Sequence, residues 1–376
     1  MKKEKITNGM ILAIAVNLVY TKGIGVTQGI IARQVGNDMW IATALSILQG
    51  IILVWVTISI IRRIPQYNII EQTEVMLGSL IAKLVAIVIF LFFVGAYATV
   101  LITYVYHIKD YFSPDSSILL PVVVGLIVGI YGTYKGIEVV SRFAIMGLMS
   151  ILLFNVLIIL GSLKDFDIKE ILPIFTNGLG KNIEASIHYN TDWAMVTMVA
   201  AILYPLVNDQ KTWFKSGVTG IVFGGLTVLI WPILETGVLS PEVTGQYIVS
   251  CMQLARAAEI GDFIHRYEMI MVALFSISLY VQIMVILYTA SLTVAPVFKL
   301  KDIRPLIIPI GIILSAFGYW IIFNNVRAMT FLTYYWPPIA MSIAVGLPVL
   351  IFILGFFFKE KLQQTKANLP QEEQNI

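Results

Sequence analysis

One constraint recurs along nearly the whole chain: apolar runs long enough to cross a bilayer core of about 30 Å as helix, a task that takes roughly 20 residues, cut by short charged or turn-forming segments. Ten such spans are expected, at 8–32, 38–61, 82–106, 117–134, 137–160, 184–207, 216–236, 267–296, 304–323 and 334–358. Only 12% of residues are charged and 58% are hydrophobic, with a mean hydropathy of +0.87. Soluble domains carry about 25% charged residues, so a soluble enzyme is excluded. The chain reads as an all-α membrane protein with a single ten-span domain over residues 1–360, followed by a Gln/Glu/Lys-rich segment, 361–376, expected to be a disordered cytoplasmic tail.

Charge placement orients these spans. Arg62, Arg63, Lys135, Arg142, Lys211, Lys215, Lys299, Lys301, Arg304, Lys359 and Lys361 fall in short loops on the side that also holds the N-terminus. The rule that positive charge stays inside therefore places both termini in the cytoplasm. Lys2, Lys3 and Lys5 precede apolar sequence as in a signal peptide, but no small-residue cleavage site follows, so the first span is read as uncleaved.

Two longer outer loops follow spans five and seven, at about 161–183 and 237–266. In the second, Tyr247, Cys251, Ala255 and Ala258 share one helical face, which fits either an interfacial helix or a cap docked over an outer vestibule. On the inner side, Asn68 to Leu80 reads as a short amphipathic helix with Glu71 and Glu74 in its first turns.

A net charge of +3 points to no nucleic-acid partner, and Cys251 alone can close no disulfide within the chain. No Cys/His cluster, HExxH, GxSxG or phosphate-cradling loop is present, so no catalytic residue, metal or cofactor is assigned. His107, His188 and His265 have no metal-ligand spacing.

Span one carries Thr21, Lys22, Gly23, Gly25, Thr27 and Gln28 near mid-depth, where polar side chains are costly against lipid. Glycines there let a helix unwind around a ligand carboxylate when the gap lines a cavity; the alternative is close helix packing through small residues. Lys22 either counters a ligand charge, carries a proton in place of a coupling sodium, or is structurally paired. Span six opens with Ile187-His188-Tyr189-Asn190-Thr191-Asp192-Trp193. Asp192 either lies near mid-depth, where it meets a ligand amine or Lys22, or, if the span starts later, serves as an outer N-cap. Spans one and six begin the two five-span halves, a pattern expected of an inverted repeat with two broken helices. Ser276, Tyr280, Tyr288 and Ser291 share a face of span eight, and Tyr97 and Tyr104 one of span three; these stripes line a ligand or bond between helices. Glu138 and Arg142, four apart, form a structural pair, while Trp231-Pro232 and Trp336-Pro337-Pro338 mark kinks or helix starts.

Several pieces, in order, resemble the B subunit of GerA-type spore germinant receptors: Gly36-Asn37-Asp38-Met39-Trp40, Arg63-Ile64-Pro65, Gly132 to Gly136-Ile137-Glu138 with Arg142, Leu203-Tyr204-Pro205, and Ile260-Gly261-Asp262-Phe263-Ile264-His265-Arg266. The likeness runs from about residue 5 to 360. It implies a branch of the amino acid/polyamine/organocation transporter superfamily with the LeuT-like five-plus-five inverted repeat, resident in the inner membrane of an endospore. It also implies partnership with an A subunit and a lipoprotein C subunit, and a nutrient ligand (amino acid, nucleoside or sugar) held between broken spans one and six. The residues expected to line that site are Thr21, Lys22, Gly23, Gly25 and Thr27 from span one, with Thr191 and Asp192 opposite, and Tyr97, Ser276 and Tyr280 as walls. The competing reading is a proton- or sodium-coupled amino acid transporter. An ion-conducting pore is a third reading, disfavoured because no acidic or basic ring repeat is present.

Overall fold

A computed structural model describes residues 5–111, 115–208, 212–259 and 267–369. All ten expected spans are helical. Span one is α1 (Asn8–Ile24) and α2 (Val26–Val35), joined at Gly25; α3 (Met39–Ile61) is span two. A short helix, α4 (Ile69–Leu77), leads to α5 (Ser79–Tyr111), α6 (Leu119–Tyr134) and α7 (Ile137–Ser162), which close the first half. The second half opens with α8 (Gly178–Leu203) and α9 (Trp213–Leu239). Two short helices, α10 (Pro241–Gln246) and α11 (Ser250–Ala257), follow, and then α12 (Tyr267–Val294) and α13 (Arg304–Ile322). Span ten runs through α14 (Asn325–Thr330), α15 (Trp336–Met341) and α16 (Leu347–Phe357), linked by π-helical turns at Phe331–Tyr335 and Ser342–Gly346.

Among the described residues, seven helical runs are long and apolar enough to cross a membrane by length and composition alone. The remaining spans fall short for physical reasons. α1 is cut at Gly25, α6 has 16 residues, and α8 is diluted by the polar residues of its first half. Outward-facing side chains such as Leu84, Leu91, Ile127, Met146 and Ile312 are exposed, as a lipid-facing surface requires, while α1 and α8 are buried along most of their length. The broken first span is thus the centre of the bundle, packed by α7, α8, α9 and α12.

Two expectations are corrected. Span six has no mid-depth break: α8 is continuous to Leu203, and the chain leaves it through a single 3-10 turn at Tyr204–Leu206 that contains Pro205. From Lys181 to Leu203 there is no glycine or proline, so polar residues alone do not interrupt the helix. The first part of the expected disordered tail is helical as α17 (Lys359–Ala367), which packs Leu362 against α4. Residues 370–376 lie outside the described residues, as does the Ile260 to Arg266 motif.

The remaining sequence motifs act as joints. Asn68 caps α4 in a reciprocal box with Glu71, and Gln72 Nε2 donates to the carbonyls of Ile61, Ile64 and Tyr67, clamping the Arg63-Ile64-Pro65 turn. Arg63 donates to the carbonyls of Ile351 (3.2 Å) and Phe352 (2.6 Å) on α16 and lies over the rings of Phe352 and Phe356. Burial there draws its guanidinium below the usual arginine value. After α2, buried Asp38 accepts from the backbone N–H groups of Phe175 (2.6 Å) and Asn177 (3.1 Å) and from Asn182 Nδ2 (3.1 Å), which fixes the segment ahead of α8, and the start of α8, to the turn after α2. Near the N-terminus, Ile6 pairs with the exit from α8, its N–H donating to the Leu206 carbonyl and its carbonyl accepting from Asn208. Trp336 begins α15, α9 runs through Pro232 without ending, and Glu138 and Arg142 pair on an exposed face of α7.

Candidate functional site

The interruption of span one is built at one residue. Gly25 has φ −78° and ψ −99°, outside any helix, with its N–H still donating to the Thr21 carbonyl at 3.0 Å. A Cβ on Gly25 would meet Thr103 and His107 of α5, and one on Gly23 would sit 3.3 Å from Val228 of α9. The glycines thus serve close approach and interruption together, and the two readings of the sequence are not exclusive.

Polar groups converge at this level. Lys22 Nζ lies 3.1 Å from Asp192 Oδ1, 2.9 Å from Thr191 Oγ1, 3.1 Å from the His188 carbonyl and 3.3 Å from Thr27 Oγ1. Asp192 is therefore an interior partner and not an outer N-cap; α8 starts four turns earlier, at Gly178. Around this pair stand buried atoms with no hydrogen-bond partner: Thr21 Oγ1, Gln28 Oε1 and Nε2, and Asp192 Oδ2. The Tyr189 hydroxyl points toward Thr43 and Gln28 without reaching hydrogen-bond geometry with either. Buried polar groups left open cost about 1–3 kcal/mol each.

Of the residues expected to line the site, Thr21, Lys22, Gly23, Gly25, Thr27, Thr191 and Asp192 are brought together. Tyr97, Ser276 and Tyr280 are not. Tyr97 turns to α13, 3.2 Å from Ser315 Oγ; Tyr280 bonds Tyr104 at 2.8 Å; and Ser276 returns its hydroxyl to the Val272 carbonyl. Those stripes bond between or along helices, the other option open from spacing.

The sequence reading missed the supports. Asn17 donates to the Ala144 carbonyl at 2.8 Å, Gln282 Nε2 donates to the carbonyls of Asn17 and Leu18, and Tyr20 donates to Asn155 Oδ1 at 2.8 Å beside Trp231 Nε1. It also missed Glu235, fully buried on α9, which accepts from Ser250 Oγ of α11 at 2.8 Å. A carboxylate within an apolar span was the available signal.

Above the break, α10 and α11 form a docked cap and not a lipid-interface helix. Cys251, Leu254, Ala255 and Ala258 are buried, Cys251 Sγ lies 3.5 Å from His107 Nε2, and Gly29 has no room for a Cβ beneath the Tyr247 carbonyl. Beside the cap, a cleft of about 550 Å³ opens between α2 and the start of span ten, lined by Arg33, Gln34, Asn325, Met329, Thr330 and Tyr334 among others. Gln34 connects this cleft to the centre: its Nε2 is 3.0 Å from His188 Nε2, and the His188 carbonyl reaches Lys22.

Comparison with known proteins agrees with this architecture. The profile of the family described as "Spore germination protein" matches residues 5–326. Spore germination protein KB of Bacillus subtilis (strain 168) is 23% identical over 326 residues, covering 83% of this chain and 84% of its own length. Spore germination protein YndE of the same organism is 23% identical over 363 residues, covering 94% and 96%. Among solved structures, MhsT in complex with L-phenylalanine superposes with a TM-score of 0.67 at 15% identity, covering 99% of this chain and 94% of its own. Mhp1, a nucleobase-cation-symport-1 family transporter in a closed conformation, gives 0.70 at 12%, covering 99% and 81%. At these identities the likeness shows the fold, the LeuT-like arrangement of transporters.

Proposed function

The chain belongs to the spore germination protein family, and on that premise we propose that it is the membrane-embedded subunit through which a germinant receptor binds its nutrient. It is a multi-pass, permease-like membrane protein. The observation that carries the finer reading is the open polar cluster at the break: Thr21, Gln28, Tyr189 and Asp192 each hold a buried atom without a hydrogen-bond partner beside the interrupted backbone at Gly25. A small polar nutrient (amino acid, nucleoside or sugar) supplies those bonds, entering from the outer cleft past Gln34 and His188. Binding signals because it favours one arrangement of the broken span over another, and the change passes to A-type and lipoprotein C-type partner subunits in the spore inner membrane, with both termini of this chain cytoplasmic.

The test is dipicolinate release from spores lacking this gene, across a panel of amino acids, nucleosides and sugars. Loss of response to one nutrient class supports the receptor reading, and undiminished response to all of them overturns it. The transporter fold favours a second reading, coupled uptake of the same class of molecule. Accumulation in proteoliposomes that depends on an imposed proton or sodium gradient would put that reading first.

A further inference from the structure

The lysine at the break is held by more than a salt bridge. Four oxygens surround its ammonium at 2.9–3.3 Å: Thr191 Oγ1, the His188 carbonyl, Asp192 Oδ1 and Thr27 Oγ1. These are N–H···O distances, and they outnumber the three protons an ammonium can donate. The shell is drawn from separate elements, with Thr27 on α2 and the other three on α8, while the lysine itself is rooted on α1, across Gly25 from α2. The Thr191 hydroxyl donates to the His188 carbonyl at 2.8 Å, so it turns a lone pair toward Lys22. The side chains of Lys22 and Asp192 are 5% and 4% exposed, so bulk water contributes little to this shell. A pair alone would need one carboxylate; here carbonyl, hydroxyl and carboxylate oxygens converge on one point, the donor set of a cation site.

We propose that this shell is a cation site whose resident ion is the chain's own Lys22 ammonium, and that the site, once vacated, takes a free primary ammonium ion. The two halves of span one are thereby fastened to α8 by a tethered cation, so the centre of the bundle is assembled without a cation from the medium. The inference concerns the same place as the nutrient reading but does not depend on it. No nutrient enters its test, so either can fail alone.

The test uses the full-length protein purified in detergent and its Lys22→Ala variant, whose missing side chain leaves room for methylammonium. Thermal unfolding is followed while tetramethylammonium chloride, which has no N–H to donate, is exchanged for methylammonium chloride or sodium chloride at constant ionic strength. The wild-type midpoint stays flat in all three salts. The variant unfolds at lower temperature, and methylammonium raises its midpoint saturably, on the order of 5 °C. A wild-type protein stabilised saturably by sodium or methylammonium, or a variant indifferent to methylammonium, overturns the proposal. Should Lys22→Ala fail to yield folded protein, the same salts are present from solubilisation onward and the monodisperse fraction on size exclusion is the readout. Recovery in methylammonium but not in tetramethylammonium supports the site, and equal failure in both overturns it.

Discussion

Gly25 and His107 leave no room for a side chain between them: a Cβ built on Gly25 would lie 2.9 Å from His107 Cε1, with Thr103 Cγ2 at 3.0 Å and the Thr21 carbonyl at 2.8 Å. His107 cannot easily give way, because its Nδ1 is 2.7 Å from the Thr103 carbonyl and its ring stacks on Phe275 at 4.1 Å. Overpacking of this kind costs about 1–3 kcal/mol. Gly25→Ala should therefore push α5 off the break and lower nutrient-triggered dipicolinate release by roughly five- to 150-fold, with the amount of protein in the membrane unchanged by immunoblot. A normal dose response at a normal membrane level would refute the placement of the ligand beside Gly25.

Lys22 and Asp192 make a second prediction through the asymmetry of buried pairs. Removing one partner leaves a charge in a low-dielectric interior and costs about 3–5 kcal/mol, whereas replacing both with apolar groups is often close to neutral. Asp192→Leu should lower the unfolding midpoint of the purified protein, and adding Lys22→Met should recover a large part of the loss. Additive losses from the two substitutions would show that the residues do not act as a pair.

The spans were legible in the sequence because length and apolar content are properties of each run by itself, and the break in span one because Gly23 and Gly25 sit among polar residues at mid-depth. Span six shows the limit. Its polar residues were read as marks of a second break, yet helix interruption needs a backbone reason, and α8 has no glycine or proline from Lys181 to Leu203. Tyr97, Ser276 and Tyr280 show another limit, since periodicity says that a residue faces the bundle but not which helix lies opposite. Tyr97 meets Ser315 and Tyr280 meets Tyr104 because α5, α12 and α13 pack together, a fact set by tertiary structure. Asn17, Asn155 and Gln282 are single polar residues in long apolar runs, and their role appears only when the partner carbonyls are in place.

Tyr20 is one of those supports. Its hydroxyl donates to Asn155 Oδ1 at 2.8 Å and stands 3.2 Å from Trp231 Nε1, tying span one to spans five and seven one turn below the break. Tyr20→Phe keeps the ring and removes the donor to a buried acceptor, a loss of about 1–2 kcal/mol. The expected result is a lower unfolding midpoint and, when Asn155→Leu is added, a combined loss smaller than the sum of the two single losses, because Tyr20→Phe has already removed the tyrosine's share while the bonds of Asn155 to Trp231 and Thr227 remain to be lost. Full additivity of the two changes would place the Tyr20 hydroxyl outside the network.

Asp38 holds a loop by accepting several N–H bonds at once, from the backbone of Phe175 and Asn177 and the side chain of Asn182. Hydrogen bonds to a charged acceptor are worth about 1.5–3 kcal/mol. Asp38→Ala should free the segment ahead of α8 while leaving the transmembrane helices packed. Limited proteolysis of right-side-out vesicles should then cut near Phe175 faster than in wild type, with the mean helix content by circular dichroism unchanged. Equal cleavage rates would mean that the loop is held by other contacts.

Arg63 and Gly355 give a prediction whose sign reverses with background. The guanidinium fills the space where a side chain on Gly355 would begin, donating to the Ile351 and Phe352 carbonyls on the same helix, so Gly355→Ala must displace it. In a helix interior, alanine is otherwise favoured over glycine by roughly 0.5–1 kcal/mol. In the wild-type background Gly355→Ala should lower the unfolding midpoint; in an Arg63→Ala background, with the guanidinium gone, the same change should leave the midpoint unchanged or raise it. The cycle isolates one contact because the two positions touch directly. An equal fall in both backgrounds would show that something other than the Arg63 guanidinium occupies the notch.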